Sequence, residues 1–160
     1  MPNTYSQIYI HIVFAVKGKE NIIRSDFREE LHKYTTGIVT NKNQKLIAIF
    51  CMSDHVHLLI GLKPDMSISE IVRDIKANSS RFINSKKWIK GKFQWQEGFG
   101  AFSVSQSQMD KVYNYILNQE KHHSSKSFKE EYIELLKKYE VAYKEEYLFE
   151  WLEDMPLLRS

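Results

Sequence analysis

Apolar residues alternate with other side chains near the start of the chain and then recur at helical spacing. Within residues 7–16 every second position is apolar, which is the pattern of a β-strand. These positions are Ile8, Ile10, Ile12 and Phe14. A helix is predicted to begin near Ser25 or Asp26 and to run toward Asn41, with Ser25 as a candidate cap. The chain therefore opens with a strand and a helix.

Three more strands and a second helix are predicted further along. Residues 45–52 form an apolar, β-rich run, and after a short polar break residues 55–62 supply the second strand of a hairpin. A capping box, Ser67 with Glu70, opens an amphipathic helix, and residues 99–104 provide the last strand. The order β-α-β-β-α-β predicts an α+β, ferredoxin-like sandwich, in which two helices cover one face of an antiparallel sheet.

Helices are also predicted after the sheet. One runs from about Gln108 to His123, and a second capping box, Ser127 with Glu130, opens another. An apolar stripe in the latter indicates that it folds against the rest of the protein; the stripe contains Phe128, Tyr132, Leu135, Leu136 and Tyr139. We expect one domain over residues 1–160, made of a ferredoxin-like core in about 1–106, a tyrosine helix in about 107–123 and C-terminal helices in about 127–154.

Two histidines stand one residue apart in the predicted hairpin. Side chains on a strand alternate between its faces, so His55 and His57 project together, roughly 7 Å apart along the strand, and can converge on one metal ion. Histidines at such positions can equally be ordinary half-buried residues. Asp54, which precedes them, either orients an imidazole or caps the hairpin turn.

A tyrosine and a glutamine lie one helical turn apart after the sheet. With a histidine pair that can hold a metal, Tyr115 and Gln119 at i, i+4 spacing suggest phosphodiester chemistry through a tyrosine nucleophile. Tyr113 is the rival nucleophile, but we expect it nearer the apolar stripe, and its i+4 neighbour is Leu117, which cannot bind a metal. The alternative is a packed tyrosine beside a surface amide.

Three further histidines lie close to these motifs. His11 belongs to the first strand, where it is either near the site or a structural histidine with its hydrogen bonds satisfied. His122 and His123 follow Gln119 and are either supplementary metal ligands or part of a solvated helix end.

Composition and cysteine content indicate the compartment. The chain has 160 residues, of which 42% are hydrophobic and 27% charged, as in ordinary globular proteins. No apolar run approaches the ~20 residues that span a membrane, and the N-terminus lacks the features of a signal peptide. The single cysteine, Cys51, lies in an apolar run and is expected to be a buried thiol, so a cytoplasmic location is expected.

Charge is distributed unevenly along the chain. Residues 71–92 contain seven basic residues and one acidic residue, whereas residues 128–154 contain nine acidic and four basic residues. The first segment is either a solvated helix or a phosphate-binding surface. Its candidate contacts are Arg73, Lys76, Arg81, Lys86 and Lys87. The aromatic residues Trp88, Phe93 and Trp95 either stack on unpaired bases or serve as core or dimer contacts.

Together these motifs resemble the single-tyrosine HUH transposases of IS200/IS605-type insertion sequences. The likeness extends over nearly the whole chain and is strongest in residues 54–59, 95–105 and 115–122. It implies that His55, His57 and Gln119 bind a divalent metal, Mg²⁺ or Mn²⁺. It also implies that Tyr115 attacks single-stranded DNA to leave a 5′-phosphotyrosine link and a free 3′-OH.

The same resemblance implies partners. Members of this family are homodimers in which the tyrosine helix of one subunit can complete the histidine site of the other, and their DNA partner is a small hairpin near the element end. A domesticated relative that acts on repeated palindromic hairpins is one alternative function. A non-catalytic binder of structured single-stranded nucleic acid is another.

Overall fold

The protein forms a four-stranded antiparallel sheet with helices on both faces. The computed structural model describes residues 3–18, 22–144 and 148. The strands are β1 (Tyr9–Ala15), β2 (Lys45–Cys51), β3 (His55–Gly61) and β4 (Gly100–Val104), and the helices are α1 (Ser25–Asn41), α2 (Ile68–Lys86), α3 (Met109–Leu117), α4 (Gln119–His122) and α5 (Phe128–Lys138). The strand order β2-β3-β1-β4 is that of a ferredoxin-like sheet, so the predicted fold class is confirmed.

One face of the sheet packs against α1 and α2. The alternation read from residues 7–16 is present, because Ile10, Ile12 and Phe14 all lie in the core under these two helices. The predicted capping box of α2 also forms, since the Glu70 N–H donates to Ser67 Oγ at 3.1 Å. Ser25 does not cap α1: the cap position is taken by Arg24, which makes no capping hydrogen bond through its side chain.

The other face of the sheet packs against α3 and α5. Helix α3 buries Val112 and Ile116 on this face, and α5 buries its predicted apolar stripe there. Gly100 in β4 permits the close approach of α5, because a Cβ atom on it would lie 2.9 Å from the ring and hydroxyl of Tyr132. The face that carries His55 and His57 is therefore covered by the chain's own helices.

The helix predicted from Gln108 to His123 is interrupted. A 3₁₀ turn, Gln106–Gln108, precedes α3, and Asn118 separates α3 from α4. The Asn118 N–H still donates to the carbonyls of Asn114 and Tyr115, and its side chain donates to the Asn114 carbonyl at 2.7 Å. This local bonding competes with continuation of the helix. The predicted continuation of the C-terminal helices to residue 154 lies mostly outside the described residues.

Within the described ranges, no helix has both the length and the apolar character needed to cross a membrane. The thiol of Cys51 is buried at the end of β2, as predicted.

Candidate metal and nucleophile site

Strand β3 places two histidines under α5. His55 and His57 are both fully buried, and each directs Nε2 toward the carboxylate of Glu131, at 3.4 Å and 3.1 Å from Oε1. Ligand atoms of these three residues all lie within 4.8 Å of one another. Imidazole nitrogens and a carboxylate oxygen at such distances match the donor set of a divalent cation.

Hydrogen bonds on the far side of each ring orient the two imidazoles. Asp54 Oδ1 lies 2.7 Å from His55 Nδ1 and accepts its proton, so a cation that displaced the Nε2 proton would meet the Nε2 lone pair beside Glu131. His57 Nδ1 lies 2.8 Å from Nε2 of His11, a buried side chain on β1. His11 is thus close to the site and supports one of its rings.

Glu131 on α5 was not predicted as a site residue. Its side chain is buried, and Oε1 faces His55 and His57 and also lies 2.9 Å from His123 Nε2. Its other oxygen, Oε2, accepts the Tyr115 hydroxyl and the side-chain amide of Gln119. One sequence signal could have found it: Glu131 is three residues after Phe128 and four before Leu135, so an acid stands on the buried stripe of the helix.

Tyr115, and not Tyr113, faces the histidines of its own chain. The Tyr115 ring centroid is 5.9 Å from that of His57, whereas Tyr113 is 40% exposed. The expectation that Tyr113 lies nearer the apolar stripe is wrong, because Val112 and Ile116 point to the sheet with Tyr115 beside them.

Gln119 and its neighbours on α4 complete the site. Gln119 is buried, with Oε1 3.2 Å from His55 Nε2. His123 is mostly buried and its Nδ1–H donates to the Lys126 carbonyl, 2.7 Å away, so it is not part of a solvated helix end. The ring of His122 packs against Tyr115 at 4.4 Å between centroids.

The electrostatics of the site are dominated by Glu131. Burial works to raise the pKa of Glu131, but hydrogen bonds to His123, His55 and His57 outweigh it and hold that pKa far below its usual range. For a histidine, burial has the opposite effect, and it lowers the pKa of His57. At His55, hydrogen bonds to Asp54 and Glu131 outweigh burial and raise the pKa to about 9.

The carboxylate of Glu131 also changes the pKa of the Tyr115 hydroxyl. Burial and the negative charge of Glu131 raise the pKa of the Tyr115 hydroxyl well above its usual value. His11 is affected in the opposite direction: burial, aided by His57, lowers its pKa to about 3, so this ring is neutral. The site therefore holds a protonated tyrosine beside an ionised carboxylate.

The predicted DNA contacts lie on α2, which covers the opposite face of the sheet from Tyr115. Lys76 donates to the carbonyls of Gln96 and Gly98, at 2.8 Å and 2.6 Å, and so holds the segment before β4. Lys86 pairs with Glu30 at 2.7 Å. The remaining candidates are Arg73 and Arg81, which are exposed, and Lys87, which ends α2 in a left-handed conformation.

Comparison with known proteins identifies the class. Residues 4–119 match the family described as IS200-like transposases. The chain belongs to the IS200-like transposase family, which confirms the predicted family and its function in DNA transposition. The matched residues end at Gln119, so α5 and Glu131 lie beyond them.

Individual relatives agree with this assignment. The ISDra2 transposase TnpA of Deinococcus radiodurans is 24% identical over 118 residues, which cover 71% of this chain and 84% of that protein. The transposase for insertion sequence element IS200 of Salmonella typhimurium is 26% identical over 114 residues, covering 68% and 74% respectively.

Two solved structures share the fold. The crystal structure of a transposase from Deinococcus radiodurans has a TM-score of 0.59 and 25% identity, covering 73% of this chain and 94% of that one. A REP-associated tyrosine transposase bound to a REP hairpin also has a TM-score of 0.59, with 14% identity over 76% of this chain and 72% of its own.

Proposed function

We propose that this transposase cleaves and rejoins single-stranded DNA through Tyr115 in a reaction that depends on a divalent metal. The observation that carries the proposal is the convergence on Glu131. His55 Nε2 and His57 Nε2 face one carboxylate oxygen, and the Tyr115 hydroxyl donates to the other. Glu131 thus contacts both the candidate metal ligands and the candidate nucleophile.

The donor chemistry of the site fits a divalent cation. Among the groups at its centre, two imidazole nitrogens and Glu131 Oε1 would hold the ion, with Gln119 Oε1 and His123 Nε2 within reach to complete its shell. When bound, the ion supplies positive charge that offsets the negative charge developing on the phosphate oxygens. Mn²⁺ tolerates this mixture of nitrogen and oxygen ligands better than Mg²⁺ does, and either can serve.

A cation at this site would counter the raised pKa of Tyr115. An ionised carboxylate against the hydroxyl opposes formation of the phenolate, so positive charge shared with Glu131 favours the nucleophilic form. Glu131 Oε2 accepts a hydrogen bond from this hydroxyl and so fixes its orientation. His11 and Asp54 act behind the metal-binding rings and keep His57 and His55 oriented.

The transfer proceeds in two balanced steps. The Tyr115 oxygen loses its proton and attacks phosphorus, the bond from phosphorus to the 3′ oxygen breaks, and the departing 3′ oxygen takes up one proton to become a 3′-OH, which leaves a 5′-phosphotyrosine link. A 3′-OH then attacks the link, the bond between Tyr115 and phosphorus breaks, and the tyrosine recovers its proton. The covalent link conserves the bond energy that rejoining requires.

The DNA partner that we propose is a single-stranded hairpin at the end of an insertion sequence. It draws support from the fold shared with a transposase bound to a REP hairpin. We further propose that the protein acts in the cytoplasm as a homodimer, and that Arg73, Arg81 and Lys87 contact the hairpin on the outer side of α2.

A covalent adduct tests this function directly. The purified protein is incubated with Mn²⁺ and a pool of single-stranded oligonucleotides that carry hairpins, and a denaturing gel is examined for a protein–DNA band. We expect a band that is lost with EDTA and in Tyr115→Phe but retained in Tyr113→Phe. An adduct in Tyr115→Phe would assign the nucleophile elsewhere. Hairpin binding by the wild-type protein without an adduct would indicate a non-catalytic binder.

A further inference from the structure

A cavity of about 370 Å³ opens between α3 and α5 beside the nucleophile. Some of the residues that line it belong to the candidate metal and nucleophile site, and others lie outside that site. Those that matter here are His11, Lys111, Tyr115, Glu131, Glu134 and Lys138. The cavity, here called the α3–α5 cleft, is lined by both the Tyr115 side chain and the Glu131 carboxylate that faces the histidine pair.

The two acidic side chains of the α3–α5 cleft have polar partners, and the Lys138 ammonium lies 5.5 Å from the centre of the Tyr139 ring. Glu134 forms an ion pair with Lys126 at 2.6 Å, and Glu131 is held by His123 and Tyr115. Over residues 3–18, 22–144 and 148, neither Lys111 nor Lys138 has an acidic partner within 4.0 Å.

Both lysines line the cleft together with Tyr115 and Glu131. Lys138 lies at the end of α5 and lines the cleft together with His11, which itself contacts His57. Lys111 stands on α3 one turn before Tyr115, at i, i+4 spacing, and is exposed. Two cations without acidic partners, one from each wall, thus flank the approach to the tyrosine.

We propose that the α3–α5 cleft binds the phosphodiester that Tyr115 attacks, and that Lys111 and Lys138 contact its non-bridging oxygens. The inference rests on the proposed function and extends it by assigning the subsite for the unpaired strand. Ammonium groups bind phosphate through charge-assisted hydrogen bonds, and two of them can hold the two free oxygens of one phosphodiester.

The location of the other basic residues supports this assignment. Within one chain, Arg73 and Arg81 lie on the helix layer across the sheet from Tyr115, so they are not placed to contact a phosphate that this tyrosine attacks. The size of the cleft is that of a small-molecule site, which suits a nucleotide of an unpaired strand rather than a duplex.

The test compares the double variant Lys111→Gln, Lys138→Gln with the wild-type protein. Both are assayed with Mn²⁺ and the hairpin-bearing oligonucleotide pool, for the initial rate of adduct formation and for equilibrium hairpin binding. Lost charge-assisted contacts should lower the rate roughly tenfold or more per lysine, while hairpin binding changes little. The double variant Lys33→Gln, Lys137→Gln is the matched control: it removes the same charge from exposed lysines outside the cleft and should retain the rate.

A second pair of substitutions separates charge from packing. Lys111→Arg with Lys138→Arg keeps both cations and should retain most of the rate. An unchanged rate in the glutamine variant, beside an active wild type, would overturn the cleft assignment alone. Equal losses in the glutamine and control variants would also overturn it, because they would reflect net charge. Absence of any adduct from the wild type would instead overturn the proposed function, and with it this subsite.

Discussion

Glu131 accepts a hydrogen bond from the Tyr115 hydroxyl through one carboxylate oxygen while its other oxygen faces His55 and His57. One of these two residues lies within the segment that matches the family, and the other does not. Tyr115 lies within the residues that match the IS200-like transposases, whereas Glu131 lies beyond them. Helix α5 is therefore an integral part of this site and not only a cover for the sheet.

We expect Glu131→Gln to weaken metal binding. The substitution keeps the size of the side chain and removes the only carboxylate among the five groups that can reach the ion, so the stabilisation that Mn²⁺ gives should fall. For the wild type, Mn²⁺ at 100 times its Kd would add about 2.7 kcal/mol to the free energy of unfolding. Thermal melts with and without Mn²⁺ measure this difference.

Glu130→Gln is the control for that experiment. Glu130 precedes Glu131 on α5, is exposed, and serves in the capping box with Ser127, a role that glutamine also performs. It should keep the full Mn²⁺ shift and the adduct. A full shift in Glu131→Gln would remove Glu131 from the set of metal ligands.

Much of the fold was predictable because its signals are local. Period-two alternation gives the strands, and the Ser67 and Ser127 capping boxes give two helix starts, since each needs only neighbouring residues. The shared face of His55 and His57 follows from the same alternation.

The position of Glu131 on the apolar stripe of α5 marks it as a buried acid, but its partners were not predictable from local sequence. It meets His57 across 74 residues of chain, and the contact depends on how α5 docks against the sheet. Lys76 was predicted to contact a phosphate because it is a basic residue on a basic helix. Its ammonium group instead donates to two backbone carbonyls. Sequence reveals charge and periodicity, whereas the partner of a charge is a tertiary property.

Gly100→Ala should displace α5. The added Cβ would lie 2.9 Å from Tyr132, the residue next to Glu131, and overpacking of this kind costs about 1–3 kcal/mol. We expect a lower melting temperature together with a smaller Mn²⁺ shift, because Glu131 moves with the helix. Gly37→Ala on α1, where an added Cβ meets nothing within 4 Å, should instead stabilise the protein by about 0.5–1 kcal/mol. A normal Mn²⁺ shift in Gly100→Ala would show that the site does not depend on this packing.

Arg73→Gln with Arg81→Gln should weaken hairpin binding and reduce its dependence on salt. Each lost phosphate contact lowers the slope of log K against log salt by about 0.7 to 0.9 through reduced counterion release. The control Arg24→Gln with Lys33→Gln removes the same charge from exposed positions on or beside α1. Identical slopes for the two double variants would contradict a specific role for α2.

Acid should destabilise the protein through His32, a residue of α1 that contacts the end of β2. Burial, with help from Arg28, lowers the pKa of His32 to about 4, and its Nε2 accepts the Cys51 N–H at 3.0 Å. The unfolded chain binds this proton near pH 6.5 and the folded protein does not. Stability is therefore complete above pH 6.5 and falls as the pH drops toward 4.

The variant His32→Gln isolates this contribution, because an amide oxygen can accept the same backbone N–H but cannot titrate. After allowance for partial exposure, the wild type should lose roughly 1–2 kcal/mol more than His32→Gln between pH 6.5 and 4. Urea unfolding at several pH values measures the difference. Parallel stability curves for the two proteins would mean that His32 is protonated as easily in the folded state as in the unfolded one, and that its hydrogen bond to the end of β2 does not resist acid.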